Sequence, residues 1–464
     1  MSTERPKAPP TSRLGRLAKL AALAPKSIPL ASQAMKRAIG MKPSGEKAER
    51  EEQVKLMLNA KSTAEAMLKT LGDMKGLPLK FGQMASYIDG LAPPGYEDKF
   101  QEVLKKLQSK APPLSKDAAI EVIQKELGAH PAEIFAEWEE EPFAAASIGQ
   151  VHRATTKGGE RVAVKVQYPG IDKAIENDLK SLSLLETMIA PIGRKYHTKE
   201  TLDEVKAVFL AELDYAREAE SGDLFRKVHA GDPNIVIPNV VHSLTTRRVL
   251  TAEFIEGMDY STFIETASQE DKNEAGKTIW RFMYRSLYAH GLLYADPHPG
   301  NYRFLGGGRV AFLDFGCLKI LPPSLVGRIK EHVLSALDND WETFDRLCVE
   351  HLGFDDTDTE AWDLHRNYVR MILTPISSGK EFKHTKEFAR EAVAFLVRNG
   401  RNVVFKPGEV LPNLPKPIHI PTDMTFMNRL QWGLTSVLAG LEADANFSQM
   451  TEPWLRAPVL PLPK

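Results

Sequence analysis

The span Tyr294–Gly316, YADPHPGNYRFLGGGRVAFLDFG, constrains this chain more than any other stretch. It sets Asp296 five residues before Asn301, follows them with three glycines, and ends on Asp314 within Asp-Phe-Gly. Gly306 to Gly308 supply a turn between two β-rich runs, NYRFL and RVAFLDF, so a hairpin should fold Asp314 back beside the loop carrying Asp296 and Asn301. Oxygen-bearing side chains at that separation suit phosphate chemistry. A nucleoside triphosphate carries its charge on oxygens bridged by one or two Mg²⁺ ions, and a transferase acting on it needs hard oxygen ligands. Asp314 and Asn301 have those donor atoms, and Asp296 is placed to orient or deprotonate an attacking hydroxyl or water. Each residue alone is an ordinary turn or cap residue. The joint pattern arises by chance in on the order of one chain in a few thousand of this length.

A second signal lies upstream. Val162–Lys165, VAVK, is a strand whose Lys165 can reach the phosphates if an acid holds its ammonium group. The helical stretch that follows carries AELDYAREAE, in which Glu218 is an apt partner for Lys165. Glu212 and Asp214 fall one to two turns earlier on the same expected helix. Before the strand, AAASIGQV runs from Ala144 through Ala145, Ala146, Ser147 and Gly149 to Val151. It has the spacing of a kinase phosphate loop with Ala in the first two Gly positions. A methyl group there removes easy access to positive φ and narrows the approach of backbone N–H groups to phosphate, so nucleotide should be held differently. Thr251–Gly257, TAEFIEG, leaves the sheet as a hinge whose backbone, around Glu253 and Ile255, would meet an adenine ring.

The rest of the chain sets limits. With 464 residues, 43% hydrophobic and 26% charged, it can bury a sizeable core in two or three units. A formal net charge of −1 gives no field that argues for nucleic acid. Two cysteines, Cys317 and Cys348, form no disulfide framework and fit a reducing compartment as buried thiols. The uncharged stretch LQWGLTSVLAGL is too short to cross a bilayer. His298 is read as a loop-shaping side chain, because no second metal ligand sits at a suitable spacing. Residues 1–50 hold eleven Lys or Arg against Glu4, Glu46 and Glu49, and read as a transit peptide, a membrane-surface helix or a disordered arm. Helical periodicity marks 51–134, with Ser115 as a helix cap. Short β-rich runs, including NIVIPNVVHS, imply one small sheet with one helix over 135–258, and helices dominate 259–464 apart from the hairpin.

On these residues the chain resembles the UbiB, or AarF, family of atypical protein-kinase-like proteins, from about Leu71 through the C-terminal lobe. The Lys-x-Gly-Gln signature stands at Lys80, Phe81, Gly82 and Gln83, the Ala-rich loop as PFAAASIGQVHRA, the Glu-x-Asp pair as Glu212 and Asp214, and DPHPGN and DFG follow. The resemblance implies an α+β, bilobal protein-kinase-like fold with a small mixed N-lobe sheet, a helical C-lobe and an N-terminal helical extension. It implies that Lys80 meets Glu212 and Asp214 where a protein kinase would receive its peptide. It also implies binding of ATP or ADP with Mg²⁺, ATPase activity, a lipid or quinone-precursor ligand, and support of isoprenoid-quinone biosynthesis, often at a membrane.

Departures sharpen the expectation. Tyr294-Ala295 replaces the His-Arg of protein kinases, so no Arg waits for a phosphorylated activation loop. No Ala-Pro-Glu segment follows Gly316 to seat a peptide, and EPWLRAPVLPLPK replaces a hydrophobic C-terminal span, which leaves only peripheral membrane contact. The expected location is cytoplasmic or peripheral at a membrane, with organellar targeting by the basic tail as an alternative. Two other classes stand beside the ATPase reading: a nucleotide-sensing pseudokinase scaffold, and an aminoglycoside-type phosphotransferase.

Overall fold

The structure, a computed structural model, describes residues 8–21, 70, 74–75, 115–181, 210–352, 356–357, 359–399 and 422–463. Lys80 and Gln83 lie outside the described residues. The chain divides into two compact units, Met1–Met188 with Val241–Phe254, and Ile189–Val240 with Ile255–Lys464. In chain order the strands are β1 (Glu137–Trp138), β2 (Ala144–Ala145), β3 (Gly149–Thr155), β4 (Arg161–Gln167), β5 (Ile235–Val236), β6 (Val249–Glu253), β7 (Leu292–Tyr294), β8 (Tyr302–Gly306), β9 (Arg309–Phe312), β10 (Leu318–Ile320), β11 (Phe382–Lys383) and β12 (Asp444–Ala445).

The first unit is built on an antiparallel sheet of order β1-β3-β4-β6, with β2 pairing along β3. Alternation in β4 decides its faces: Val162, Val164 and Val166 are buried, while Ala163 and Lys165 are half-buried on the other side. The buried face packs on the helix Lys116–Leu127 through Ala119, Val122 and Ile123, which recur at helical spacing. That helix stops where Gly128 turns left-handed at φ 82° and its N–H reaches the Gln124 carbonyl. Ser115 occupies the cap position as expected, yet its hydroxyl caps nothing and is buried without a partner.

Part of the basic tail departs from the reading as a disordered arm. Arg13–Ala21 is a helix, and Arg16 on it is buried. The Arg16 guanidinium pairs with Asp178, its Nε donating to Oδ1 at 2.6 Å, and it also donates to the backbone carbonyls of Pro10, Met74 and Lys75. A planar fork with five N–H groups can satisfy that many acceptors at once, which a Lys cannot. Burial pushes the Asp178 carboxyl above its ordinary value, and the hydrogen bonds and charge of Arg16 oppose that shift. Net charge hides such a contact, because the residue that orders the segment is one of eleven similar ones.

The second unit is organised on the helix Gln269–His290. Ser268 caps its start by accepting from Asp271 N–H, Glu270 and Asp271 occupy the positive end of the helix, and Gly291, left-handed at φ 69°, ends it. Tyr294, Phe312 and Phe315 join Phe282 of this helix in one apolar cluster, with Phe282 and Phe312 stacked at 3.7 Å. The hairpin is present: β8 and β9 pair antiparallel, and Gly306, Gly307 and Gly308 all take positive φ. Only glycine enters such a turn without strain. The run at Ile235–Val236 does not extend the first sheet; β5 pairs in parallel with β9 and forms part of a three-stranded sheet of order β5-β9-β8. Short β runs carry no mark of which sheet they join, since pairing is set by where the chain returns.

Cys317 and Cys348 are buried thiols, not joined in a disulfide. Cys348 Sγ lies 2.9 Å from His332 Nε2, and burial pushes its thiol up to about 12, so it stays protonated. Among the described residues no helix is long and apolar enough to cross a membrane.

Candidate functional site

In the second unit the loop after β7 is a compact hydrogen-bonded turn. The Asp296 carbonyl accepts from His298 N–H at 2.7 Å and from Asn301 Nδ2 at 3.0 Å. Asn301 N–H donates to the His298 carbonyl, and His298 Nδ1 accepts from Gly300 N–H at 2.7 Å, the loop-shaping role expected of that side chain. The Asn301 amide nitrogen is engaged with Asp296, which leaves its carboxamide oxygen as the atom of this side chain that could accept a cation.

The hairpin does bring Asp314 back to this loop. Leu313 N–H donates to the Asn301 carbonyl at 2.9 Å, and Ala295 N–H to the Cys317 carbonyl at 3.0 Å. Tyr294 Oη donates to the Asp314 carbonyl at 2.8 Å. Tyr294 is therefore more than a replacement for a kinase His: one buried hydroxyl ties the Asp296 loop to the Asp-Phe-Gly segment. Burial, with the charges of Tyr302, Asp314 and Asp296 nearby, holds its pKa well above the ordinary tyrosine value, so it remains a donor. Sequence reasoning missed this role, and the signal was the hydroxyl ending an otherwise apolar run, GLLYAD. Replacing Tyr294 by Phe keeps the ring and removes the hydroxyl that donates to the Asp314 carbonyl. We expect a loss of about 1–3 kcal/mol in stability, read by urea denaturation, with lower turnover at unchanged fold.

Three predicted acids converge on the same segment. A Cβ at Gly316 would meet Asp314 Oδ1 at 3.3 Å, Glu218 Oε2 at 3.6 Å and Glu212 Cγ at 3.8 Å. The helix Tyr215–Val228 places Glu218 there because its next turn packs on the Asp-Phe-Gly phenylalanine. Gly222, four residues after Glu218, faces the Phe315 ring, and Phe225 lies 5.3 Å from it. The expected continuous helix through Glu212 and Asp214 is broken. Asp214 is the N-cap of Tyr215–Val228 and accepts from Arg217 N–H at 3.2 Å, and Glu212 lies in the turn before it. An Asp competes with the helical backbone for nearby N–H groups, so it starts a helix better than it continues one.

In the first unit, strand register sets Val151 of β3 opposite Lys165 of β4, with Leu250 of β6 beyond, so the three share a face. Ala144 and Ala145 pair with Val151 and Gln150, and Ala146 N–H donates to the Gly149 carbonyl at 2.7 Å. Tyr168 N–H donates to the Ile148 carbonyl. No residue of Ala144–Val151, Gly149 included, takes positive φ. The loop closes as a hairpin over Ser147 and Ile148 that alanine enters without strain. Glu253 ends β6 opposite Val162, and Ile255 follows it outside the sheet.

The donor set fits a hard cation. Asp314 brings a carboxylate and Asn301 a carboxamide oxygen, both hard ligands, with further acids nearby to favour positive charge. Among the described residues no three His, Cys, Asp or Glu side chains form a closed ion site. Remaining positions on an ion would fall to phosphate oxygens and water, as is usual for Mg²⁺.

Comparison with known proteins gives the family and the fold. Residues 106–347 match the ABC1 atypical kinase-like domain. A Synechocystis protein of uncharacterised role is 35% identical over 301 residues, 62% of this chain and 73% of that one. The mitochondrial atypical kinase COQ8B of Danio rerio is 30% identical over 390 residues, 84% of this chain and 61% of that protein. Among solved structures, the erythromycin complex of Rv3197 from Mycobacterium tuberculosis superposes with a TM-score of 0.57 at 25% identity, covering 87% of this chain and 97% of that one.

Proposed function

We propose that this chain, which belongs to the ABC1 atypical kinase-like, or UbiB, family, binds ATP or ADP with Mg²⁺ and hydrolyses or transfers the terminal phosphate in support of isoprenoid-quinone or related lipid metabolism. The observation that carries the reading is the tie between the two segments of the opening motif, made by Leu313 N–H to Asn301 and by Tyr294 Oη to Asp314. Mg²⁺, when bound, would supply neutralisation of phosphate charge. Asp314 and Asn301 would hold that ion. Asp296, whose backbone is fixed by two hydrogen bonds, would orient or deprotonate the attacking hydroxyl or water. Lys165, on the face of β4 shared with Val151, would meet the phosphates, with Glu218 holding its ammonium group. Ala144 to Val151 would cover the phosphates, and the backbone around Glu253 and Ile255 would meet the adenine. Lys80 and Gln83, with Glu212 and Asp214, would close the side from which a peptide enters a protein kinase. Phosphorylation of proteins in trans is not expected, because the chain lacks the Ala-Pro-Glu segment that seats a peptide.

The relatives named as mitochondrial or chloroplastic kinases support a place in an organelle. The test is phosphate release by the full chain with Mg-ATP, with and without liposomes and quinone-precursor analogues. Turnover that needs Mg²⁺ and rises with lipid is the expected result. Tight Mg-ATP binding without phosphate release would favour the pseudokinase scaffold instead.

A further inference from the structure

The stretch LQWGLTSVLAGL, too short to span a bilayer, has another use in the fold. It is the C-terminal part of the helix Thr422–Leu441, in which glycine recurs at Gly433 and Gly440. Glycine inside a helix costs roughly 1 kcal/mol relative to alanine, so two of them in one helix call for a reason. Seven residues apart, they lie on the same stripe. At Gly433 a Cβ would fall 2.5 Å from Pro297 Cγ, 3.3 Å from its Cδ and 3.5 Å from its carbonyl oxygen. At Gly440 a Cβ would overlap the Tyr260 hydroxyl, which donates to the Val437 carbonyl at 2.7 Å. The glycine face thus lets the helix backbone rest directly on the residue that follows Asp296. Leu430, Leu434, Val437 and Leu438 anchor the same helix in the core.

We propose that this helix is a strut that fixes the position of the Asp296 loop, with Gly433 as a positioning residue that acts through Pro297. The proline ring has no rotamer to which it can retreat, so a displacement there passes into its neighbours. Asp296 and Asn301 then move together, because the Asp296 carbonyl accepts from both His298 N–H and Asn301 Nδ2. The strut sets the distance between the attacking group's partner and the metal ligand, and this consequence rests on the phosphate-transfer role proposed above for Asp296. A misplacement of about 1 Å in such a group can cost on the order of 10²-fold in rate.

The test is a double-mutant cycle on the full chain, Gly433→Ala and Pro297→Ala singly and together, read by steady-state ATPase kinetics and by amide hydrogen exchange of residues 296–301. Gly433→Ala is expected to lower kcat roughly tenfold or more with KM for ATP within about twofold, and to speed exchange at the His298 and Asn301 amides. Adding Pro297→Ala should recover most of both losses, because shortening the ring removes the atoms the new methyl meets. A helix-propensity or folding defect would not be relieved by a change at position 297. Unchanged exchange in Gly433→Ala, or a loss that Pro297→Ala leaves in place, overturns the strut. If the wild-type chain releases no phosphate, the catalytic reading fails, while the exchange cycle still decides the contact.

Discussion

Asp314→Asn is expected to abolish Mg²⁺-dependent nucleotide turnover and to weaken Mg²⁺-dependent binding of ATP and ADP sharply, while the protein melts at nearly its normal temperature. The variant keeps the size of the side chain and an oxygen able to accept from Gly316 N–H, as Oδ1 does at 3.0 Å. It also leaves the backbone carbonyl that Tyr294 binds untouched. What it removes is the negative charge of one of only two side chains assigned to the ion. An ion held by few protein ligands has no substitute for a lost carboxylate, and the loss should amount to several kcal/mol of transition-state stabilisation, on the order of 10³-fold in kcat/KM. Because the amide keeps the contact to Gly316 N–H, stability should hold. Isothermal titration with and without Mg²⁺, beside a thermal melt, separates the two effects. Equal Mg²⁺-dependent affinity in the variant would remove Asp314 from the metal site.

The second large effect is acid instability of the C-terminal unit. His229 and His384 are buried, and desolvation lowers each pKa from the ordinary 6.5 to about 3. Burial is the main cause at both positions, with Arg285 adding to it at His229 and a backbone hydrogen bond to Ala443 opposing it at His384. His229 Nε2 lies 2.8 Å from Ser286 Oγ, and His384 sits among Trp280, Phe382, Phe388 and Phe447. Neither place accepts a charge. The unfolded chain takes up a proton on each imidazole below pH 6.5 and the folded chain does not until about pH 3. Stability is therefore whole above about pH 6.5 and falls through the interval down to about 3, by about 1.4 kcal/mol per pH unit for each histidine. At about pH 5 the two together should cost about 4 kcal/mol, a large share of the roughly 5–15 kcal/mol typical of a folded domain. Urea midpoints at neutral pH and near pH 5 give the slope, and His384→Phe should reduce it by about half of the histidine contribution, since an aromatic ring suits that cage without a proton to gain. An unchanged slope in that variant would show that His384 titrates normally.

The motif around Asp296 and Asp314 was legible because its chemistry is local. A triple glycine between two β runs dictates a hairpin, and the hairpin dictates that Asp314 returns to Asn301. The face shared by Val151 and Lys165 also follows from strand alternation once their strands pair. What stayed out of reach was set by contacts between distant residues. Asp214 read as one acid among several on a helix, whereas its carboxylate starts that helix. The short run at Ile235–Val236 looked like part of the first sheet and joined β9, because a two-residue strand holds too little information to choose a partner. Arg16 was counted as charge and proved to be a buried hub. Tyr294 offers only a faint signal, a hydroxyl at the end of an apolar run, and Gly433 none, since both acquire meaning from what they touch.

Whether Asp314 holds the nucleotide's metal ion can be read by electron paramagnetic resonance of Mn²⁺, used in place of Mg²⁺, titrated into the full chain with and without ATP. The sharp signal of free Mn²⁺ is expected to be lost on adding protein and ATP together beyond the loss seen with ATP alone, and Asp314→Asn is expected to restore it. Retention of the same bound signal in Asp314→Asn, or no protein-dependent change at all, would contradict it.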